Sequence, residues 1–483
     1  MITLIIPPSP FLLDERVFPS LGLLKIAAVL EKHSKISVLD LSGINNYTDV
    51  LEIYLKTNQS SIYCITATTP QLPYAVIIKD CIKKYKNFYR IILGGPHVTL
   101  VYSAFKNNPS KRAVFNKNIL EENFDCLVSG DGEKAIFEAL NLDVKFVDGD
   151  DPKKPYFLSN IDYENLPFPN RKLIDLNSYH YTIDGKKATS IIAQLGCPFN
   201  CGFCGGRLSN SLRRIRTRTS HNILSEIEYL YKTYNIEGFM FYDDELNVNK
   251  NFENLLVDLI NLQKKLKIEF RFRGFVKSEL FTQKQANLMY EAGFRWVLCG
   301  FESGNNKILE NINKKATYTD NSKVVTYCKN SKLKVKALMS IGHPGESEKT
   351  IEDTKNFLID HNIDDFDCTI ITPYPGTPYY DNAVEINDNI YKYTVKKTND
   401  NLYSTSLNYM VISNYYKGIP GKNYTSYVYT DYLNKNEIVE LRDNLESNVR
   451  KKLQIPYNTS AASILYEHSM GQTLPSFINK FTE

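Results

Sequence analysis

The sequence predicts an α/β protein: a doubly wound parallel sheet, then a barrel of strand–helix units, then a mixed C-terminal segment. Three observations carry this reading. Short apolar or β-branched runs alternate with amphipathic stretches over residues 1–145 and again over 189–380. Glycines and carboxylates gather where the apolar runs end. The alternation stops after residue 380.

Length and composition set the frame. The 483 residues suit two or three domains, at roughly 150 residues each. Hydrophobic residues make up 43% and charged residues 23%, as in globular proteins with real cores. With 58 basic against 54 acidic residues the net charge is +4, which gives no reason to expect nucleic acid or an anionic membrane as partner. Most of the nine cysteines, Cys64, Cys126, Cys299 and Cys368 among them, sit in apolar runs and read as buried structural thiols. The opening Met1-Ile-Thr-Leu-Ile-Ile-Pro-Pro has no basic region or cleavage site. No apolar run reaches the roughly 18 residues of a membrane span. A cytoplasmic location is expected.

The first domain, residues 1–145, reads in order. Ile2 to Ile6 is a strand stopped by Pro7-Pro8, and Leu21 to Glu31 a helix with one apolar face. Strands follow at Ile36 to Leu41 and Ser61 to Thr66, then a helix at Tyr74 to Tyr85. A strand at Arg90 to Leu93 runs into Gly94-Gly95-Pro96-His97, read as a loop. Another, Asp125 to Ser129, runs into Gly130-Asp131-Gly132-Glu133 and a helix. Alternation of this kind builds a parallel sheet, and ligands bind beyond the carboxyl ends of its strands. Bare glycine backbone there admits a large group. His97 is either a ligand or a pocket-lining side chain.

Residues 146–188 read as a linker. Asp148-Gly-Asp-Asp-Pro-Lys-Lys-Pro155 and Leu166-Pro-Phe-Pro-Asn170 are turn formers without helical or strand period. From residue 189 to 380 strands are expected at Thr189–Leu195, Gly238–Tyr242, Glu269–Phe275, Trp296–Phe301, Val335–Ile341 and Phe366–Thr372, with helices between them, the first capped by Ser220. These make six strand–helix units. Their carboxyl ends carry Asp243-Asp244-Glu245, Glu302-Ser303-Gly304 and Gly342-His343-Pro344-Gly345, where barrels hold their functional groups.

The chemistry centres on Cys197, Cys201 and Cys204, which leave the end of the first barrel strand with three and then two residues between them. A thiolate triad this tight suits an iron–sulfur cluster. A [4Fe–4S] cube held by three cysteines keeps one iron open. Zinc would want a fourth protein ligand or a histidine, and none lies nearby; a disulfide framework fits poorly with three cysteines. Arg213-Arg-Ile-Arg-Thr-Arg218 follows the loop and is read as structural or as an edge for a cofactor.

The cysteine spacing, with Phe203 before the last cysteine, resembles the signature of the radical S-adenosylmethionine (SAM) enzymes. The resemblance implies an open (β/α)6 radical SAM barrel. It further implies a [4Fe–4S] cluster whose open iron takes the amino and carboxylate groups of SAM, and reductive cleavage to a 5′-deoxyadenosyl radical that abstracts hydrogen from substrate. Leu93-Gly-Gly-Pro-His-Val-Thr followed by Ser129-Gly-Asp-Gly-Glu resembles the Rossmann-like cobalamin (B12)-binding domain that precedes the barrel in one subfamily. The Asp-x-His-x-x-Gly motif of other cobalamin proteins is absent, as is usual there. The resemblance covers the chain to about residue 380.

It implies SAM contacts from Phe203, Asp243, Asp244, Arg273, Glu302, Ser303 and Gly342. Residue chemistry leaves alternatives beside them. The Asp pair binds an amine or caps the next segment. Arg273 forks a carboxylate or makes a salt bridge. Glu302 accepts from a diol or ammonium, or faces a helix dipole. Phe203 lies on the adenine or packs in the core. For cobalamin the resemblance implies Thr68, Thr69, Gly94, Gly95, His97, Gly130, Gly132 and Glu133.

The implied activity is methyl transfer to an unactivated position of a small-molecule or peptide substrate, with flavodoxin or ferredoxin as reducing partner. A radical cyclase, rearrangement catalyst or oxidoreductase on the same scaffold is the alternative, and an iron–sulfur electron carrier the one outside it. Residues 381–483 are rich in Tyr and Asn, with a turn at Tyr416–Gly421, a β-like run at Tyr424–Tyr429 and a helix from Lys435 to Leu453. In the subfamily such tails close the barrel mouth and shape the substrate pocket.

Overall fold

The computed structural model describes residues 1–12, 14–416 and 424–455. Apart from Tyr416, the expected turn at 416–421 lies outside them.

The N-terminal chain runs β1 (Ile2–Ile6), α1 (Leu21–Leu30), β2 (Ile36–Asp40), α2 (Tyr47–Thr57), β3 (Ile62–Thr66), α3 (Leu72–Tyr85), β4 (Arg90–Gly94), α4 (Pro96–Asn107), α5 (Lys111–Asn123), β5 (Cys126–Gly130), α6 (Gly132–Ala139) and β6 (Phe146–Gly149). The strands form a six-stranded parallel sheet in the order β2-β1-β3-β4-β5-β6. Apolar residues pack on both of its faces. Two readings change. Pro96-His97 opens α4 instead of a loop: Pro96 takes a first-turn position and Gly95, at φ +97°, supplies the cap. A side chain at Gly95 would come within 2.6 Å of Thr66 Oγ1. The sheet also extends past residue 145, since β6 pairs with β5 inside the stretch read as linker.

The remaining linker holds α7 (Asn160–Asn165), opened by a capping box from Ser159. A second sheet follows, of β7 (Thr182–Ile183), β8 (Lys186–Ile191), β11 (Gly238–Phe241), β12 (Arg271–Phe275), β13 (Phe294–Glu302), β14 (Lys334–Ile341) and β15 (Asp365–Ile370). Six strands from β8 to β15 run parallel, and β7 adds antiparallel at the edge. This is the open six-unit barrel expected. Between β8 and β11 come β9 (Gln194–Leu195), α8 (Asn210–Arg213), β10 (Arg216–Thr217) and α9 (Ser220–Tyr234). β9 and β10 pair and so close the cysteine loop at its base. The cap of α9 is Thr219, whose hydroxyl accepts from the Asn222 amide, with Ser220 already inside the helix. The outer helices are α10 (Phe252–Leu266), α11 (Gln283–Glu291), α12 (Asn306–Ile312), α13 (Tyr318–Asn330) and α14 (Glu348–Asp360).

After α15 (Pro378–Asp381) the tail folds into an antiparallel sheet of β16 (Val384–Asn387), β17 (Ile390–Thr394), β18 (Asn401–Thr405) and β19 (Val428–Thr430), then α16 (Lys435–Leu453). Helix α16 packs on β15: Glu446 accepts from the Cys368 amide at 2.7 Å, and Arg450 donates to the Phe366 carbonyl at 2.7 Å. Among the described residues no helix is long and apolar enough to cross a membrane.

Two sets of contacts fix the first sheet against the barrel, and a third ties the first domain to α15 and the tail sheet. Arg216 of β10 pairs with Asp131 after β5. Asp150 accepts from both Ser209 and Ser211 hydroxyls, each at 2.6 Å. Arg112 of α5 lies between the rings of Tyr380 and Tyr391, at 3.7 and 3.8 Å. Beside them, buried Glu226 takes Arg171 at 2.8 Å and Arg218 at 2.6 Å. Glu226→Leu leaves two buried guanidinium groups without their counter-ion. It is expected to destabilise the fold by about 3–5 kcal/mol, read as a lower urea midpoint. An unchanged midpoint would show that the triad adds nothing.

Candidate active site

The cysteine loop is held by backbone. Cys197 N–H donates to Leu212 C=O at 3.1 Å, Gly202 N–H to Ile312 C=O at 2.7 Å, and Tyr379 N–H to Gly202 C=O at 3.0 Å. Gly196 sits at φ +86°, and a side chain there would strike the Arg214 carbonyl. Arg207 Nη1 donates to the Cys197 and Phe199 carbonyls at 3.0 and 2.7 Å. The root of the loop is set by Asp243, whose carboxylate accepts the Ala193 and Gln194 amides.

The three thiols are free. Burial pushes each of them up, Cys204 to about 12, while Arg207 opposes this at Cys197 and Cys204, and Lys314 with Lys277 at Cys201. Those cations offset the charge that three thiolates would bring, so the donor set fits a cluster. Among the described residues no three His, Cys, Asp or Glu groups converge as a single ion would require. A cube takes one thiolate at each of three iron corners, and the three cysteines lie on one loop.

A cavity of about 320 Å³ opens in the barrel, lined by Phe203, Tyr242, Phe275, Glu302, Ser340, Asp367, Tyr374, Tyr415 and Tyr416 among others. Two of its polar residues, Glu302 and Ser340, belong to one hydrogen-bonded chain. Lys314 Nζ donates to Glu302 Oε1 at 3.0 Å and Ser340 Oγ to Glu302 Oε2 at 2.7 Å. Ser340 has spent its proton, so His343 Nε2, 2.8 Å away, is the donor to it. His343 Nδ1 then faces the Tyr379 hydroxyl at 3.5 Å. Burial pushes the imidazole down to about 3 and keeps it neutral. Burial would raise Glu302, but Lys314 and Ser340 outweigh it and hold its carboxyl below the usual range.

A second cavity, about 480 Å³, lies between the two domains. Its floor is apolar, with Leu4, Leu23, Ile26, Ile92, Val128 and Ile136; its glycines are Gly22, Gly94, Gly95, Gly130, Gly132 and, from the cysteine loop, Gly196. The rim carries Asp131, Glu133, Gln194, Arg216 and Asp244. A Cβ on Gly22 would meet nothing within 4 Å, and one on Gly94 only Val128 at 3.8 Å. Both glycines thus leave room that a side chain would fill. Tyr242 lines both cavities.

The structure sorts the residues named from the sequence. Phe203 and Glu302 line the barrel cavity, and Gly94, Gly95, Gly130, Gly132 and Glu133 the interdomain one. Asp244 also faces the interdomain cavity, beside Arg207. The others are engaged elsewhere. Asp243 holds the loop root. The Ser303 hydroxyl accepts from the Asn305 amide and sits 3.2 Å from Thr354 Oγ1. Gly342, at φ +86°, lets Val428 of the tail sheet pack close. Arg273 lies over Trp296, near Tyr181, Asp365 and Asp367. Thr68 shares a capping box with Gln71. His97 is buried against Thr69 at 3.1 Å, and burial pushes it down to about 3. None of these lines either cavity. Each arginine read in the basic run has a structural contact: Arg213 donates to the Arg207 and Pro198 carbonyls, Arg214 lies over Phe157, and Arg216 and Arg218 pair with acids.

Sequence reasoning missed Lys314, Ser340 and Tyr379. Lys314 follows a helix rather than a strand, so the strand-end rule did not reach it. Ser340 lies inside β14, one residue before its end.

Comparison with known proteins agrees with this arrangement. The Radical SAM superfamily model matches residues 191–358. An uncharacterized methyltransferase of Pyrococcus horikoshii is 28% identical over 406 residues, 80% of this chain and 83% of its own. The anaerobic magnesium-protoporphyrin IX monomethyl ester cyclase of Rubrivivax gelatinosus is 24% identical over 423 residues, 80% of this chain and 73% of its own. Among solved structures, the radical SAM methyltransferase TsrM from Kitasatospora setae, with cobalamin and a [4Fe-4S] cluster bound, matches with a TM-score of 0.59 at 16% identity, over 78% of this chain and 76% of its own. At that identity the likeness concerns the fold. The cysteine loop and the barrel it opens onto lie in the stretch, residues 191–358, that is similar to the Radical SAM superfamily, and the chain shares its two-domain fold with TsrM.

Proposed function

We propose that this protein is a cobalamin-dependent radical SAM enzyme that transfers a methyl group to an unactivated position of a small-molecule or peptide substrate. The observation that carries the reading is the interdomain cavity, with an apolar floor, bare glycines at the strand ends of one sheet, and a wall from the cysteine-loop end of the other. The names of the Pyrococcus relative and of TsrM support methyl transfer.

When bound, the cluster supplies the electron for reductive cleavage of SAM, and cobalamin supplies a transferable methyl group. The chain's own residues do the rest. Cys197, Cys201 and Cys204 offer three thiolates and leave one iron open. Lys314 offers a cation, and Glu302 acceptor oxygens, to the charged end of SAM. Phe203 and the Tyr374, Tyr415 and Tyr416 rings wall the barrel cavity against water. Tyr242 stands where the two cavities meet. A flavodoxin or ferredoxin is the expected electron donor.

Likeness to the magnesium-protoporphyrin cyclase supports a second reading, radical ring closure without methyl transfer. The SAM-derived products separate them. Methyl transfer consumes SAM in two ways and yields S-adenosylhomocysteine beside 5′-deoxyadenosine; ring closure yields the second alone.

Protein made anaerobically in cobalamin-importing cells is expected to release about one dicyanocobalamin per chain on cyanide extraction, with about four iron and four sulfide as a cube requires. A yield near zero with the cluster intact would sink the methyl-transfer reading. Gly22→Phe, which fills the interdomain cavity, should lose the cobalamin and keep the iron. Cys201→Ala should do the reverse: iron and 5′-deoxyadenosine fall to background while cobalamin stays.

A further inference from the structure

A smaller cavity, about 60 Å³, adjoins the interdomain one, and Gly22 and Glu133 line both. Three polar groups on its wall make no hydrogen bond among the described residues. Lys25 of α1 is 8% exposed. Its ammonium sits 4.3 Å from the centroid of the Tyr163 ring and makes no hydrogen bond or ion pair among the described residues. Glu133, at the start of α6, likewise meets no donor among them. The Tyr163 hydroxyl is buried with no hydrogen-bond partner. The other carboxylate nearby, Glu226, is taken up by Arg171 and Arg218.

A buried ammonium without an acceptor is costly, and one cation–π contact offsets only part of that. Burial pushes Lys25 down to about 8, with Glu133 the strongest of the charges that oppose the shift. Lys25 and Glu133 do not close an ion pair, so a donor and an acceptor stand apart across a gap that opens on the larger cavity. A carboxylate or phosphate placed there would face Glu133, and an alkyl group would leave both unsatisfied. A primary carboxamide satisfies both, with a carbonyl acceptor for Lys25 and an N–H donor for Glu133.

We infer that Lys25 and Glu133 form the subsite for one peripheral carboxamide arm of a corrin ring. The inference rests on the cobalamin reading above and assigns two residues to one end of the cofactor. Neither residue takes part in the chemistry; together they set the ring's rotation in the cleft.

The test uses full-length, cluster-loaded, cobalamin-free protein, titrated with hydroxocobalamin and with its monocarboxylate derivatives, each having one peripheral amide hydrolysed. Wild type should bind hydroxocobalamin and discriminate against one derivative about tenfold or more, because its carboxylate meets Glu133. Glu133→Gln should erase that discrimination. Lys25→Met should weaken hydroxocobalamin about tenfold with iron content unchanged. If wild type binds every derivative alike and both variants bind as wild type does, the small cavity holds water only and the inference falls. If wild type binds no hydroxocobalamin, the cobalamin reading falls and takes this inference with it. The derivative comparison on wild type needs no variant to fold.

Discussion

A buried ion pair ties the two halves of the active cleft together. Asp131 stands just past the carboxyl end of β5, and Arg216 comes from β10, the strand that closes the cysteine loop. Burial pushes the Asp131 carboxyl up to about 7, and the Arg216 charge is the largest influence pulling it back. Either partner alone would be a buried charge without its counter-ion. The pair therefore holds only while β5 and the loop base stay in register. Asp150, one residue past β6, adds the two serine hydroxyls on the far side of the loop. These contacts aim the strand ends of both sheets into one space, where each sheet alone would leave its binding edge open.

From that constraint the rest of the site follows by short steps. Asp243 fixes the loop's first strand, and backbone ties from Leu212, Ile312 and Tyr379 fix its path. The tail sheet then closes the barrel mouth: Val428 packs at Gly342, and Asp400 lies at Gly345. Tyr374, Tyr415 and Tyr416 bring aromatic surface to a cavity where Glu302 and Ser340 are held by the chain from Lys314 to Tyr379. A cavity walled by aromatic rings suits reactive chemistry that must exclude water.

Much of this was legible in the sequence. The strand–helix alternation located every barrel strand, and the cysteine spacing located the loop, because both rest on local patterns. The glycines at the ends of β4 and β5 pointed to the interdomain cavity for the same reason. What escaped was tertiary. Asp243 looked like a ligand group because it ends a strand, yet two backbone amides claim it. His97 looked like a loop histidine because Pro96 breaks helices, yet proline also starts them. Of the tail sheet only the run at Tyr424–Tyr429, which overlaps β19, was legible; the other strands, rich in Tyr, Asn and Lys, were missed. Lys25 and Glu133 face one small cavity from two helices far apart in sequence, and no spacing announces it.

The central claim is that cluster and cobalamin occupy neighbouring sites across one cleft. Electron paramagnetic resonance of protein loaded with cob(II)alamin tests this directly, with the cluster first oxidised and then reduced. The account predicts that reducing the cluster broadens or splits the cob(II)alamin signal, since two nearby spins couple. A cob(II)alamin signal identical in both states, with the reduced cluster seen as an independent spin, would contradict it.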